Sequence, residues 1–197
     1  DQCMDTVKNL AEMADNPEKL HIVICQQNSE SDADCISWCT SENEKNPACN
    51  ITVTDIERLD HKDARGPTWA RFRIQQKWTG EEYFLQVDAH TRVTKHWDTV
   101  LKEQLKMCPS DKPCITQYPP QYDIVSKENR NNSNKENWRI KKLRGKIYIE
   151  KFDDTDGFTR IQSKYIYTSP NSPIPGVGWA GGFSFSKGEF IKENSYD

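Results

Sequence analysis

The stretch Glu82-Tyr83-Phe84-Leu85-Gln86-Val87-Asp88-Ala89-His90 decides how the rest of the chain is read. It is a short apolar run that ends in an acid, a small residue and a histidine. A run of that length, rich in aromatic and aliphatic side chains, predicts a buried strand. In an open α/β sheet, ligands sit beyond the carboxyl ends of the strands. Alternate residues of an extended segment face the same way, which would let Asp88 and His90 turn toward one ion. The competing reading is a strand followed by an ordinary polar turn.

Upstream of this run, Cys3, Val7, Leu10, Ala11 and Ala14 fall on one helical face. Asn16-Pro17 stops that helix, because a proline disfavours helical geometry in the residue before it. Residues 20–25 and 51–56 read as strands, and Gly66-Pro67 opens a helix with Ala70, Ile74 and Trp78 on one face. Downstream, Trp97, Val100, Leu101 and Leu105 make an amphipathic helix ended by Pro109, and residues 114–118 read as a strand. This alternation predicts an α/β domain with a mostly parallel, doubly wound sheet. A helix before the first strand suggests that another strand precedes Asp1.

The second part of the chain has a different texture. Residues 126–137 form a Lys/Asn/Glu/Ser tract, expected to be an exposed polar insertion. Residues 138–150 and 159–168 look like strands around an acidic turn at 153–157, whose spacing does not match a calcium loop. Pro170, Pro173, Pro175, Gly176 and Gly178 make a non-regular connection into the aromatic stretch 179–186. Paired glycines within a strand-like segment, here Gly181-Gly182, mark a bulge or a close backbone approach. Residues 1–197 read as a single domain.

The formal net charge is −3 with both signs interspersed, which gives no sign of a nucleic-acid groove or a membrane-binding face. No apolar stretch has the length of a transmembrane helix. Six Trp, seven Tyr and seven Phe argue for a real core despite 29% charged residues. Seven cysteines leave an odd thiol, and those in loop-like stretches (Cys35, Cys39, Cys49, and Cys108 with Cys114) are candidates for disulfides in a secretory compartment. The sequons at Asn50 and Asn131 suit that compartment, yet cytoplasm and Golgi lumen remain equal expectations. A zinc site from Cys35, Cys39 and Cys49 lacks the tight knuckle spacing.

An ion held by one carboxylate and one imidazole needs phosphate oxygens and water to complete its shell. The imidazole shifts preference from Mg²⁺ toward Mn²⁺. Arg71 lies on the helix that feeds the organising strand, and guanidinium groups pair well with phosphate. Arg73 and Arg92 read more simply as surface residues. Together these residues point to a divalent ion bridging a diphosphate. Gly181 and Gly182 then bring backbone against a sugar, with Trp179 as a stacking wall, or else make a tight core contact. The chain has no Gly-x-Ser-x-Gly, His-Glu-x-x-His or phosphate-loop motif. Cys25 sits in an apolar strand as a core residue, and His21, His61 and His96 have no partner at a diagnostic spacing.

The runs Ala64-Arg65-Gly66-Pro67-Thr68-Trp69-Ala70-Arg71, Phe84 to Arg92, Trp97-Asp98, Tyr118-Pro119-Pro120-Gln121-Tyr122 and Ala180 to Ser186 occur in an order that resembles one family. It is the GlcNAc-transferase family acting on hydroxyproline in a ubiquitin-ligase adaptor protein. The Asp-x-His and Gly-Gly-Phe elements are also similar to the polypeptide GalNAc-transferases. The resemblance implies a GT-A glycosyltransferase fold, a UDP-sugar donor (UDP-GlcNAc first), Mn²⁺ or Mg²⁺, a protein or peptide acceptor, and transfer with retention. It further implies that Asp88 and His90 are metal ligands, that Arg71, Gly181 and Gly182 contact the donor, and that Trp97 and Trp179 line the cleft. It identifies no catalytic base.

Val93 departs from the Phe the family carries after its Thr-Arg. The resemblance also implies a strand before Asp1 and a Gly-Glu-Glu segment after Asp197 that supplies carboxylates, so residues 1–197 are expected to act as a fragment. The alternatives are a non-catalytic sugar- or protein-binding domain on the same scaffold, and a disulfide-stapled secreted interaction protein.

Overall fold

Helix and strand signals alternate through the first half of the chain, and a computed structural model places elements where they fall. It describes residues 2–37, 49, 52–119, 144–166 and 173–196. In chain order these hold α1 (Gln2–Met13), β1 (His21–Asn28), β2 (Thr52–Asp60), α2 (Pro67–Gln75), β3 (Tyr83–Val87) and α3 (Trp97–Lys106). Then come β4 (Cys114–Thr116), β5 (Arg144–Phe152), β6 (Thr159–Ile166), β7 (Phe183–Lys187) and the single turn α4 (Phe190–Glu193). The tract 126–137, the sequon residues Asn50 and Asn131, and Cys39 lie outside the described residues.

The buried face of α1 is only partly apolar, and its polar members explain how the helix is held. Val7, Leu10 and Ala11 are buried together with Thr6 and Asn9. The Thr6 hydroxyl donates to the Ala89 carbonyl at 2.6 Å and accepts from Arg92 Nη1 at 2.9 Å. Asn9 Oδ1 accepts from the Val93 amide at 2.6 Å. Buried polar groups of this kind are tolerated because they are hydrogen-bonded. Here they fasten α1 to the loop that leaves β3.

At its other end α1 meets α3. The free amides of Asp15 and Asn16 donate to the Asp98 carboxylate at 2.8 and 3.1 Å. Burial pushes the Asp98 carboxyl up, but these bonds outweigh it and hold the group below the usual range. Trp97 is 8% exposed, and its indole donates to the Leu10 carbonyl at 2.8 Å. A disulfide joins Cys3 to Cys35, and Cys35 packs against Val7 and Ile24. With its sulfur so engaged, Cys35 is not a thiolate for zinc.

The sheets depart from the expected, mostly parallel arrangement. Among the described residues, β1 and β2 form the one parallel pair. A second sheet has the order β3-β7-β4, in which β7 is antiparallel to both neighbours. β5 and β6 form an antiparallel hairpin around the turn at 154–156. β7 enters its place between β3 and β4 from residues 173–182, which among the described residues hold no helix to return it in the parallel sense. Four residues of β7, from Phe183 to Ser186, are buried, as a central strand requires. Gly181 and Gly182 belong to the turn that precedes β7, not to the strand itself.

Candidate functional site

The ladder between β3 and β7 runs one bond past the strand ends. Val87 pairs with Phe183, and the Asp88 amide then donates to the Gly182 carbonyl at 3.1 Å. Asp88 is therefore fixed at the carboxyl end of β3, opposite the glycine turn. From α2, Arg71 Nη2 donates to Asp88 Oδ1 at 3.1 Å, and the two side chains are 22% and 40% exposed.

Both glycines are needed for this closeness. A β-carbon on Gly181 would lie 2.6 Å from Arg71 Nη1, and one on Gly182 would lie 2.6 Å from Asp88 Oδ2. Each glycine makes room for one member of the ion pair, by close approach of backbone to side chain. Four of the residues singled out in the sequence, Arg71, Asp88, Gly181 and Gly182, thus meet at one place.

The turn is gripped from two sides. Gln86 Nε2 donates to the Gly181 carbonyl at 2.6 Å and to Tyr196 Oη at 3.0 Å. Thr116 of β4 accepts from the Ala180 amide at 2.9 Å, and its hydroxyl lies within hydrogen-bonding distance of the Phe183 carbonyl at 3.0 Å. Gln75 Oε1 accepts from the Tyr196 amide at 3.1 Å. The rings of Tyr196 and Trp179 stand 5.8 Å apart, tilted by 51°. Gln75, Gln86, Thr116 and Tyr196 were not singled out in the sequence. The readable signal was Gln86, a lone amide inside an apolar strand.

His90 is exposed and sits in a turn, which the Thr91 amide closes by donating to the Asp88 carbonyl at 3.1 Å. The backbone between Asp88 and His90 is therefore bent where the sequence reading took it as extended. Among the described residues no three His, Cys, Asp or Glu side chains gather as a metal-binding group. Arg92, its side chain 5% exposed, is turned inward onto Thr6, Thr91 and Asp5. Arg73 pairs with Glu57 and lies over the Trp69 ring.

Trp179 is 40% exposed beside the glycine turn, whereas Trp97 is in the interior. Trp97 lines a cavity of about 540 Å³ between β1 and β3, walled also by Leu10, Ile22, Ile74 and Leu85 and reaching Arg71. No helix among the described residues is long and apolar enough to cross a membrane.

What this arrangement offers is an accessible carboxylate, a guanidinium with donors to spare, and backbone free of side chains. The guanidinium carries five N–H donors in a planar fork, of which the bond to Asp88 takes one. A family model described as Glycosyltransferase (GlcNAc) matches residues 1–56 and 39–197. No curated protein and no solved structure matches the chain.

Proposed function

The chain belongs to the glycosyltransferase (GlcNAc) family, and we propose that it moves GlcNAc from UDP-GlcNAc to a hydroxyl of a protein or peptide, with retention at the anomeric carbon. The observation that carries this reading is the meeting of Arg71 and Asp88 over Gly181 and Gly182. A sugar diphosphate needs a cation for its phosphates and close backbone for its ring, and this place offers both. We read the scaffold as GT-A-like, with Asp88 beyond the end of β3 where such a fold takes its donor.

Asp88 and His90 would hold a Mn²⁺ or Mg²⁺ ion. Their chemistry suits the ion, since one carboxylate and one imidazole favour Mn²⁺ and leave further positions for phosphate oxygens and water. The space that Gly182 leaves beside Asp88 Oδ2 keeps that oxygen clear of side chains from the turn. When bound, the ion offsets negative charge on the departing diphosphate. Arg71 supplies a second, fixed positive charge to the same phosphates, in a place where few groups must reorganise. The Gly181-Gly182 backbone lies against the sugar, and Trp179 flanks it.

Calorimetric titration of the full-length protein with UDP, with and without Mn²⁺, tests this. Asp88→Ala is expected to remove the Mn²⁺-dependent part of the binding. Unchanged affinity in that variant would overturn the reading.

A further inference from the structure

Gln86 interrupts an apolar strand, and its side chain does more than satisfy itself. The residue is 9% exposed, and both N–H groups of its amide are used, on the Gly181 carbonyl and on Tyr196 Oη. Gln75, also 9% exposed, accepts from the Tyr196 amide. Burying two amides is costly unless each is paired, so their pairing on one tyrosine ties that residue firmly in place.

The layout repeats that of the charged pair. Arg71 and Gln75 are four apart on α2 and share a helix face. Gln86 and Asp88 are two apart, at the end of β3. One residue of each element makes the ion pair, and the other holds Tyr196. The Gly181-Gly182 turn touches both bridges, facing Arg71 and Asp88 where side chains would otherwise stand and offering its Gly181 carbonyl to Gln86. Tyr196 in turn contacts Trp179, whose ring is 40% exposed.

We propose that Gln86 is a positioning residue for the donor sugar, acting through Tyr196. It fixes the Tyr196–Trp179 aromatic pair and the Gly181 carbonyl as one wall of the sugar site, next to the phosphate-binding charges. This rests on the UDP-sugar reading given above. Aromatic faces with a few fixed polar groups are the usual lining of a site that orients a small molecule. The wall meets the sugar and not the nucleotide, so its effect is confined to donors that carry a sugar.

The test compares UDP with UDP-GlcNAc on the full-length protein carrying Tyr196→Phe, which removes one hydroxyl, or Gln86→Met, which removes the amide at similar volume. Each variant is expected to weaken UDP-GlcNAc about tenfold, the scale of a lost buried hydrogen bond, with UDP changed by less than about twofold. The KM for UDP-GlcNAc rises correspondingly. Equal weakening of both ligands, or of neither, overturns the proposal while leaving the UDP-sugar reading intact. If the unaltered protein binds neither ligand, that reading fails and the proposal fails with it. Should Gln86→Met not fold, Tyr196→Phe decides alone.

Discussion

Gly182 stands so close to Asp88 that a methyl group on its α-carbon would lie 2.6 Å from Oδ2. Real β-carbons do not come so near, so Gly182→Ala must push the carboxylate aside. Asp88 is 40% exposed and can swing outward, which makes the cost to folding small and the cost to the site large. Gly182→Ala is expected to weaken Mn²⁺-dependent UDP binding at least tenfold, about 1.4 kcal/mol, while Tm falls by only a few degrees. Titration beside a thermal melt separates the two. Full UDP affinity in the variant would show that Asp88 need not sit against the turn.

Gly188 presents the opposite case. A β-carbon there would lie 2.0 Å from the Glu81 carbonyl oxygen and 2.6 Å from the Trp78 indole nitrogen. The indole is itself bonded to that carbonyl at 3.0 Å, and the Gly188 amide donates to Glu82. Backbone cannot swing away as a surface carboxylate can. Gly188→Ala is therefore expected to destabilise the fold by on the order of 3 kcal/mol, as overpacking does. Urea denaturation measures it, and a loss below about 1 kcal/mol would mean that β7 shifts freely against the start of β3.

Several of these relationships were open to a reader of the sequence, and others were closed for physical reasons. The face of α1 and the strand ending at Asp88 follow from periodicity, which is local; on α3 Trp97 and Leu105 are buried as expected, but Val100 is exposed. Arg71, Asp88 and the glycine pair could be picked out by residue type, although nothing in the spacing says that Gly181 faces Arg71 and Gly182 faces Asp88. The sequence assigns no direction to β7, because a strand reached through a Pro/Gly connection carries no local mark of it, so the antiparallel core of the second sheet is not legible there. Trp97 shows a further limit. An aromatic at a helix start does not announce its partners, and Trp97 both lines the cavity that reaches Arg71 and donates to the Leu10 carbonyl. Gln86 was legible only as an anomaly, since its partners Gly181 and Tyr196 lie far along the chain.

Glu81 gives the fold an acid-sensitive joint. Burial pushes its carboxyl up, but the Thr79 amide, His21 and the Thr79 hydroxyl together bring it from 4.5 down to about 2. A carboxylate whose folded value is depressed contributes stability that is full above its unfolded value and lost as pH falls through the folded one. The stability difference between the protein and Glu81→Gln should thus be constant near neutrality, shrink between about pH 4.5 and 2, and vanish below. Denaturation at a series of pH values checks it. A difference that persists at the acid end would assign the effect of the substitution to packing.

The Cys3–Cys35 disulfide closes a loop between residues 32 apart and ties α1 to the segment following β1. In the chain-entropy account, a crosslink over that span stabilises by roughly 3–4 kcal/mol, mainly by restricting the unfolded chain. Cys35 is also 1% exposed and packed on Val7 and Ile24, so reduction leaves the thiol within a formed cluster and does not empty it. Cys3→Ser leaves Val7, Ile24 and Cys35 in place and changes only Cys3 at the edge of that cluster, so it should cost close to the entropic amount. Reductant should lower the stability of the unaltered protein by the same amount and leave the Cys3→Ser variant unchanged. A reductant-sensitive variant would place the relevant disulfide among the other cysteines, since Cys3 is gone. Because α1 carries Thr6 and Asn9, which hold the loop from Ala89 to Val93, the same reduction should loosen His90 more than Asp88. Hydrogen exchange of the amides in that loop reads this directly: faster exchange at Val93 than at Asp88 is expected, and equal acceleration at both would mean that the whole end of β3 moves with α1.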